Sequence, residues 1–228
     1  TRTMQAALAL ADDLDAQAIL DMHEVLVGSS HPEWVGHWRT EQVWIGGSNY
    51  GPHGALFVPP RYERLPEAMA DLVAFIRRDD IPALVQATIA HAQFETIHPF
   101  PDGNGRTGRA LIHSMLRAKG LTRTVTVPVS AGLLTDTDAY FASLSAYREG
   151  SPTTIVELIA EASFRAIDNG RALSRDLAVI RMDWNDRISV RRGAAAHRLA
   201  DLLVRQPVVD SPLVQRELAV AATNANTA

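Results

Sequence analysis

Twelve consecutive residues, His98-Pro99-Phe100-Pro101-Asp102-Gly103-Asn104-Gly105-Arg106-Thr107-Gly108-Arg109, bring together a histidine, a carboxylate, glycines, an asparagine and two arginines. Phosphate chemistry calls for that mixture, and few purely structural demands would produce it. A histidine takes a proton near neutral pH. A carboxylate can hold Mg²⁺. Glycines let backbone N–H groups close on a phosphate, and a helix starting there adds its positive end. Arg106 and Arg109, three residues apart on that helix, reach the same side of it.

The elements around the segment are read from hydrophobic spacing. Leu8, Leu10, Leu14, Ala18, Ile19, Met22 and Leu26 recur at helical intervals, predicting a helix within the first thirty residues. Residues 28–40 read as an ordered loop. Gln42–Gly47 and Ala55–Val58 are β-like and flank a run dense in turn formers, which predicts a hairpin over 43–58 that Pro59-Pro60 ends. Helices follow over about 65–78 and from Pro82 to Ile97, where Pro99 stops the second. Another begins near Gly105 and ends near Lys119-Gly120. Thr124 to Val129 reads as extended, then 136–148 and about 154–180 as helices. Short helices follow from Ala194, one of them capped by Ser211 with Pro212 in its first turn. The expected fold is all-α, a mainly helical bundle with one small β-hairpin. Residues 1–185 would form the catalytic domain, and 186–228 a helical C-terminal segment.

Composition narrows the class. A chain of 228 residues buries a proper core. No apolar run approaches the roughly 20 residues that cross a bilayer, and no secretory leader is seen, so a cytoplasmic protein without a membrane partner is expected. Cysteine is absent, which removes disulfides, thiolate metal sites and cysteine nucleophiles. Net charge is -4, yet 171–228 carries nine arginines against six acids. That mild basicity is a weak pointer to DNA.

Rival motifs lack their context. Gly103-x-Gly105-x-x-Gly108 satisfies the dinucleotide fingerprint, but a helix precedes it and no acid occurs between Asp102 and Asp136. Neither a P-loop nor a His-Glu-x-x-His sequence occurs. His91, one heptad before His98, reads as a structural histidine.

The twelve residues match His-x-Phe-x-(Asp/Glu)-Gly-Asn-Gly-Arg-x-x-Arg throughout, and the chain resembles the Fic-domain proteins. Gly36-x-x-Arg39 and Gln42–Gly46 look like the family's flap region. Ala90-His91-x-x-Phe94-x-x-Ile97 resembles the helix before its active-site loop. The likeness covers roughly residues 5–170.

The resemblance implies an adenylyltransferase moving AMP from ATP to a Ser, Thr or Tyr hydroxyl of a target protein. His98 would be the general base, and Asp102 would hold Mg²⁺. Nucleotide contacts would come from Asp102, Gly103, Asn104, Gly105, Arg106, Thr107, Gly108 and Arg109, with Tyr140 and Phe141 near the adenine. Arg148 stands where the family often has asparagine. The target would dock on the 43–58 hairpin. Two alternatives are a nucleotide-sensing DNA-binding regulator, and a Fic enzyme transferring another nucleotide or a phosphate. Fic proteins that phosphorylate tend to carry lysine where Gly105 stands. The tail resembles either a truncated winged helix or helices closing the bundle, and self-association is a further possibility. Ser145-x-x-x-Glu149-Gly150 fits the letters of the family's inhibitory motif, but lies in the helix expected beside the base. Any inhibitory helix is expected upstream of Thr1.

Overall fold

The computed structural model describes residues 14–48, 50–122, 136–191 and 193–220. Among them are eight α-helices: α1 (Ala16–Val27), α2 (Leu65–Ile76), α3 (Ala83–Ile97), α4 (Asn104–Ala118), α5 (Thr137–Arg148), α6 (Thr153–Arg187), α7 (Ala195–Arg205) and α8 (Ser211–Leu218). Short 3₁₀ turns occupy Pro32–Trp34 and Tyr62–Arg64. The all-α expectation therefore holds. No helix among the described residues is long and apolar enough to cross a membrane. The extended reading over 124–129 and the apolar positions Leu8 and Leu10 lie outside the described residues.

The chain forms two compact units, divided between Ile167 and Asp168. In the first, α3 is the central helix. Its buried residues include Ala87, Ala90, His91, Phe94 and Ile97, and they face α2, α4 and α5. A helix covered on so many sides buries residues around most of its circumference, and α3 does, with Gln86, Thr88, His91 and Glu95 among them. Ile19 and Met22 of α1, Leu72 of α2, Leu111 and Met115 of α4, and Ile155 of α6 complete one continuous core. Gln86 ties α3 to the end of α2. Its amide nitrogen donates to the carbonyls of Phe75, Ile76 and Arg78, at and just past the C-terminal end of the helix.

The 42–58 segment pairs more sparsely than a regular hairpin. Ile45 bridges Phe57, and Ser48 bridges Gly51. Gly46 and Gly47 both take positive φ (76° and 74°), which turns the chain out of a strand immediately after the bridge.

In the second unit, α7 and α8 close over Leu202, Val214 and Leu218. Arg181 of α6 donates to Asp201 of α7 at 2.7 Å. The cap of α8 is Asp210 rather than Ser211. Asp210 is extended, and its carboxylate accepts from the Leu213 N–H at 2.9 Å, leaving Ser211 as the first helical residue.

Candidate active site

His98 ends α3 in the left-handed conformation (φ 50°, ψ 62°), which few residues other than glycine adopt. Its N–H still closes on the Phe94 carbonyl at 2.8 Å. One buried side chain holds it there. Arg39, itself 2% exposed, donates through Nε to the His98 carbonyl at 2.9 Å. The same guanidinium reaches the Glu41 carbonyl at 2.8 Å and the Pro60 carbonyl at 2.6 Å, so one side chain ties the end of α3 to both sides of the flap.

The loop from Pro99 to Gly103 is fastened from within. Asn104 accepts from the Phe100 N–H at 2.9 Å and donates to the Phe100 carbonyl at 2.8 Å, using both ends of its amide. Phe100 is fully buried and stacks on His23 with ring centroids 3.6 Å apart. His23 Nε2 lies 2.9 Å from the Asp102 carbonyl, which can only accept, so that nitrogen carries the hydrogen. Burial lowers the His23 pKa and keeps the ring neutral.

Gly103 then turns into α4 with φ 83°, and no side chain caps the helix. A Cβ there would meet Val27 at 3.0 Å and His23 at 3.3 Å. The uncapped first turn leaves its N–H groups available to an anion, and the helix dipole adds to their pull. Gly108 has a different task. A Cβ on it would come within 2.9 Å of both Glu95 Oε1 and His91 Nδ1, so glycine lets α3 and α4 approach closely.

A cavity of about 390 Å³ opens beside His98, walled by Glu95, Gly105, Arg109, Tyr140 and Phe141 and closed on the flap side by Phe57. Arg148 also lines it and sits over Phe57, with the guanidinium carbon 3.7 Å from the ring centroid. The Tyr140 hydroxyl is 2.9 Å from His91 Nε2 in a buried contact, which gives His91 the structural part expected of it. Of the residues singled out in the sequence, His98, Gly105, Arg109, Tyr140 and Phe141 meet at this cavity. Gly103, Asn104, Thr107 and Gly108 are buried in the loop and helix that shape it. Asp102 and Arg106 are exposed and paired at 2.8 Å.

Burial pushes the His98 pKa down to about 4, and Arg39 and Arg148 add to this, while the Glu95 carbonyl and Asp102 oppose it. The imidazole is thus neutral at pH 7 and able to accept a proton. Burial pushes Glu95 up to about 7, against the pull of Arg109 and Arg148. Sequence reasoning passed over Glu95. The available signal was its charge, the only acidic or basic residue along Ala83–Ile97 apart from His91. His23 and Arg39 act through space, from helix and loop positions far from the loop in sequence.

The Asp102 carboxylate is the one acidic oxygen donor in the loop, and no group of three or more His, Cys, Asp or Glu among the described residues could cage a metal. A lone exposed carboxylate fits a cation held largely by substrate phosphates, as Mg²⁺ commonly is.

Comparisons with known proteins converge on one family. Residues 13–116 match the Fic/DOC family model. Protein adenylyltransferase fic-1 of Caenorhabditis elegans is 31% identical over 159 residues, 68% of this chain and 28% of that protein. A probable protein adenylyltransferase of Aquifex aeolicus is 37% identical over 93 residues, 37% of this chain and 29% of that protein. The chain spans less than a third of the length of these curated relatives. Among solved structures, a Fic family protein from Desulfovibrio desulfuricans superposes with a TM-score of 0.64 at 26% identity, covering 99% of this chain and 64% of that one. Fic-1 from C. elegans does so with a TM-score of 0.55 at 28% identity, covering 75% and 51%. The chain carries a Fic domain and belongs to the Fic/DOC family.

Proposed function

We propose that this chain transfers AMP from ATP to a hydroxyl side chain of a target protein, with His98 as the general base. The observation that carries the reading is the meeting of a neutral, partly exposed His98 with Arg109 at one cavity, directly before an uncapped helix start. The relatives named as protein adenylyltransferases support it.

In this reading His98 removes the proton from the target hydroxyl as its oxygen attacks the α-phosphorus, and pyrophosphate leaves. The first-turn N–H groups of α4 and the guanidiniums of Arg106 and Arg109 bind the phosphates. Asp102 would hold Mg²⁺, which when bound supplies charge neutralisation on the leaving pyrophosphate. For that, its pair with Arg106 must open. The half-exposed Phe141 and the buried Tyr140 offer an aromatic wall to the base. Positioning and electrostatics carry most of such a transfer, which accounts for the density of ties on the loop. The flap bridge between Ile45 and Phe57 leaves main chain on which a target segment can pair.

Incubation with Mg²⁺, a cell lysate and ATP labelled at the α-phosphate should label protein, and ATP labelled at the γ-phosphate should not. Label from the γ position alone would replace AMP transfer with phosphate transfer. Absence of both would leave nucleotide sensing as the better reading.

A further inference from the structure

Glu95 is the buried carboxyl of the described residues, and the transfer outlined above gives it no part. Its side chain is 8% exposed, and its Oε1 makes no hydrogen bond. Burying a carboxyl without partners is costly, and α3 is otherwise uncharged apart from His91. Glu95 therefore opposes the local packing logic of its own helix. Its position explains what it can do. One helical turn separates it from His98, and its Oε2 lies 3.9 Å from His98 Nδ1. That nitrogen is itself buried and completes no hydrogen bond, and the Glu95 main-chain carbonyl is the other acceptor acting on the ring. Both side chains line the same cavity.

We propose that Glu95 is the positioning residue of the base: its carboxylate takes the Nδ1–H of His98, leaves Nε2 as the proton acceptor, and balances the imidazolium formed during transfer. The inference rests on the AMP-transfer reading. The target O–H proton moves to Nε2 while the new O–P bond forms and the bond to pyrophosphate breaks. The Nδ1 proton stays between the ring and Glu95. A gap of 3.9 Å is long for a hydrogen bond, but catalytic contacts often tighten only when substrate closes the site.

The charges around the pair give the inference a pH signature. Arg109 of α4, Arg148 and Tyr140 of α5 and His98 itself face Glu95. Arg39, Arg148 and Asp102 act on His98. Because burial outweighs the arginines, Glu95 ionises only near pH 7, whereas His98 would charge only near pH 4. A base that depends on ionised Glu95 loses activity as pH falls through 7. A base acting alone does so only near 4.

The test is steady-state AMP transfer by wild type, Glu95→Gln and Glu95→Asp between pH 5.5 and 8.5, with ATP varied. Wild-type kcat should rise about tenfold or more between pH 5.5 and 7.5 and then level off. Glu95→Gln should lower the kcat plateau about tenfold or more, leave KM for ATP within about twofold, and flatten the profile. Glu95→Asp should retain the limb near 7 at a reduced plateau, and stands in if the glutamine variant does not fold. An unchanged kcat, a limb that persists in the glutamine variant, or no limb in the aspartate variant would overturn the inference. Higher activity with a lower KM in Glu95→Gln would instead make Glu95 a counter-ion restraining Arg109. A wild type that transfers no AMP overturns the underlying reaction. An active wild type with an indifferent Glu95 overturns only this assignment.

Discussion

Arg39 and His98, 59 residues apart, are joined by a 2.9 Å hydrogen bond from the guanidinium Nε to the main-chain carbonyl of the base. The contact is to backbone, so Arg39 fixes where His98 stands, and its charge also adds to the lowering of the ring's pKa. Its other two nitrogens satisfy the Glu41 and Pro60 carbonyls, and only a planar fork can reach all three.

Arg39→Lys should therefore be far from conservative. An ammonium can reach one of these carbonyls well and leaves the others buried without donors. The expected cost is on the order of 2–4 kcal/mol of stability. Transfer activity should fall by more than the loss of folded protein explains. Denaturant unfolding and specific activity of the folded fraction measure the two effects separately.

Two glycines in helices should respond in opposite directions to alanine. Gly108→Ala places a Cβ 2.9 Å from Glu95 and His91, and should destabilise by roughly 1–3 kcal/mol despite the better helix propensity. Gly170, in α6, has open space where the Cβ would go, so Gly170→Ala should stabilise by about 0.5–1 kcal/mol. Urea midpoints of the two variants decide. A neutral Gly108→Ala would show that α3 and α4 can part at no cost.

Acid should destabilise the fold before carboxylates are generally protonated. His91 and His98 have folded pKa values near 4 against about 6.5 in the unfolded chain, so the unfolded state binds more protons between those values. Their contribution is present above pH 6.5 and is lost as pH falls towards 4. Glu95 has the opposite sign. Raised to about 7 from about 4.5, it favours the folded state increasingly as pH falls through that window. Glu95→Gln removes this offset, so its stability should drop more steeply than that of wild type between pH 7 and 4.5. Parallel losses would contradict the burial-driven shift of Glu95.

Arg109→Ala should weaken ATP binding by about tenfold or more and AMP binding much less, because a charge-assisted contact to a terminal phosphate is worth roughly 1.5–3 kcal/mol. Calorimetric titration with both nucleotides distinguishes this from a general collapse of the cavity. Equal losses would place Arg109 away from the terminal phosphates.

The legibility of this site in sequence follows its contiguity. Residues 98–109 form an unbroken run, and their chemistry could be read directly, as could the helices that flank them. Asn104 was counted among the nucleotide contacts, and in the structure its amide bonds both polar groups of the Phe100 backbone. His23 and Arg39 reach the loop from distant positions, and no spacing rule relates them to it. Glu95 was within reach, three residues before His98, but an isolated acid in an apolar helix acquires meaning only once its burial is known. The flap was read as a small hairpin around a run of turn formers, from its β-like residues. Gly46 and Gly47 limit it to sparse bridges, because their positive φ is invisible to a propensity argument. Glu149, placed by the sequence beside the base, stands exposed just past α5 and does not line the cavity, whereas its neighbour Arg148 does.

The central claim is that His98 accepts the proton of the attacking hydroxyl, and comparing wild type with His98→Ala for transfer of α-labelled AMP tests it most directly. His98 is held by its backbone, through Arg39 and the Phe94 carbonyl, so the substitution should leave the thermal midpoint and ATP affinity nearly unchanged. Label transfer should fall by about a hundredfold or more. Undiminished transfer by a folded His98→Ala protein that binds ATP normally would contradict the account.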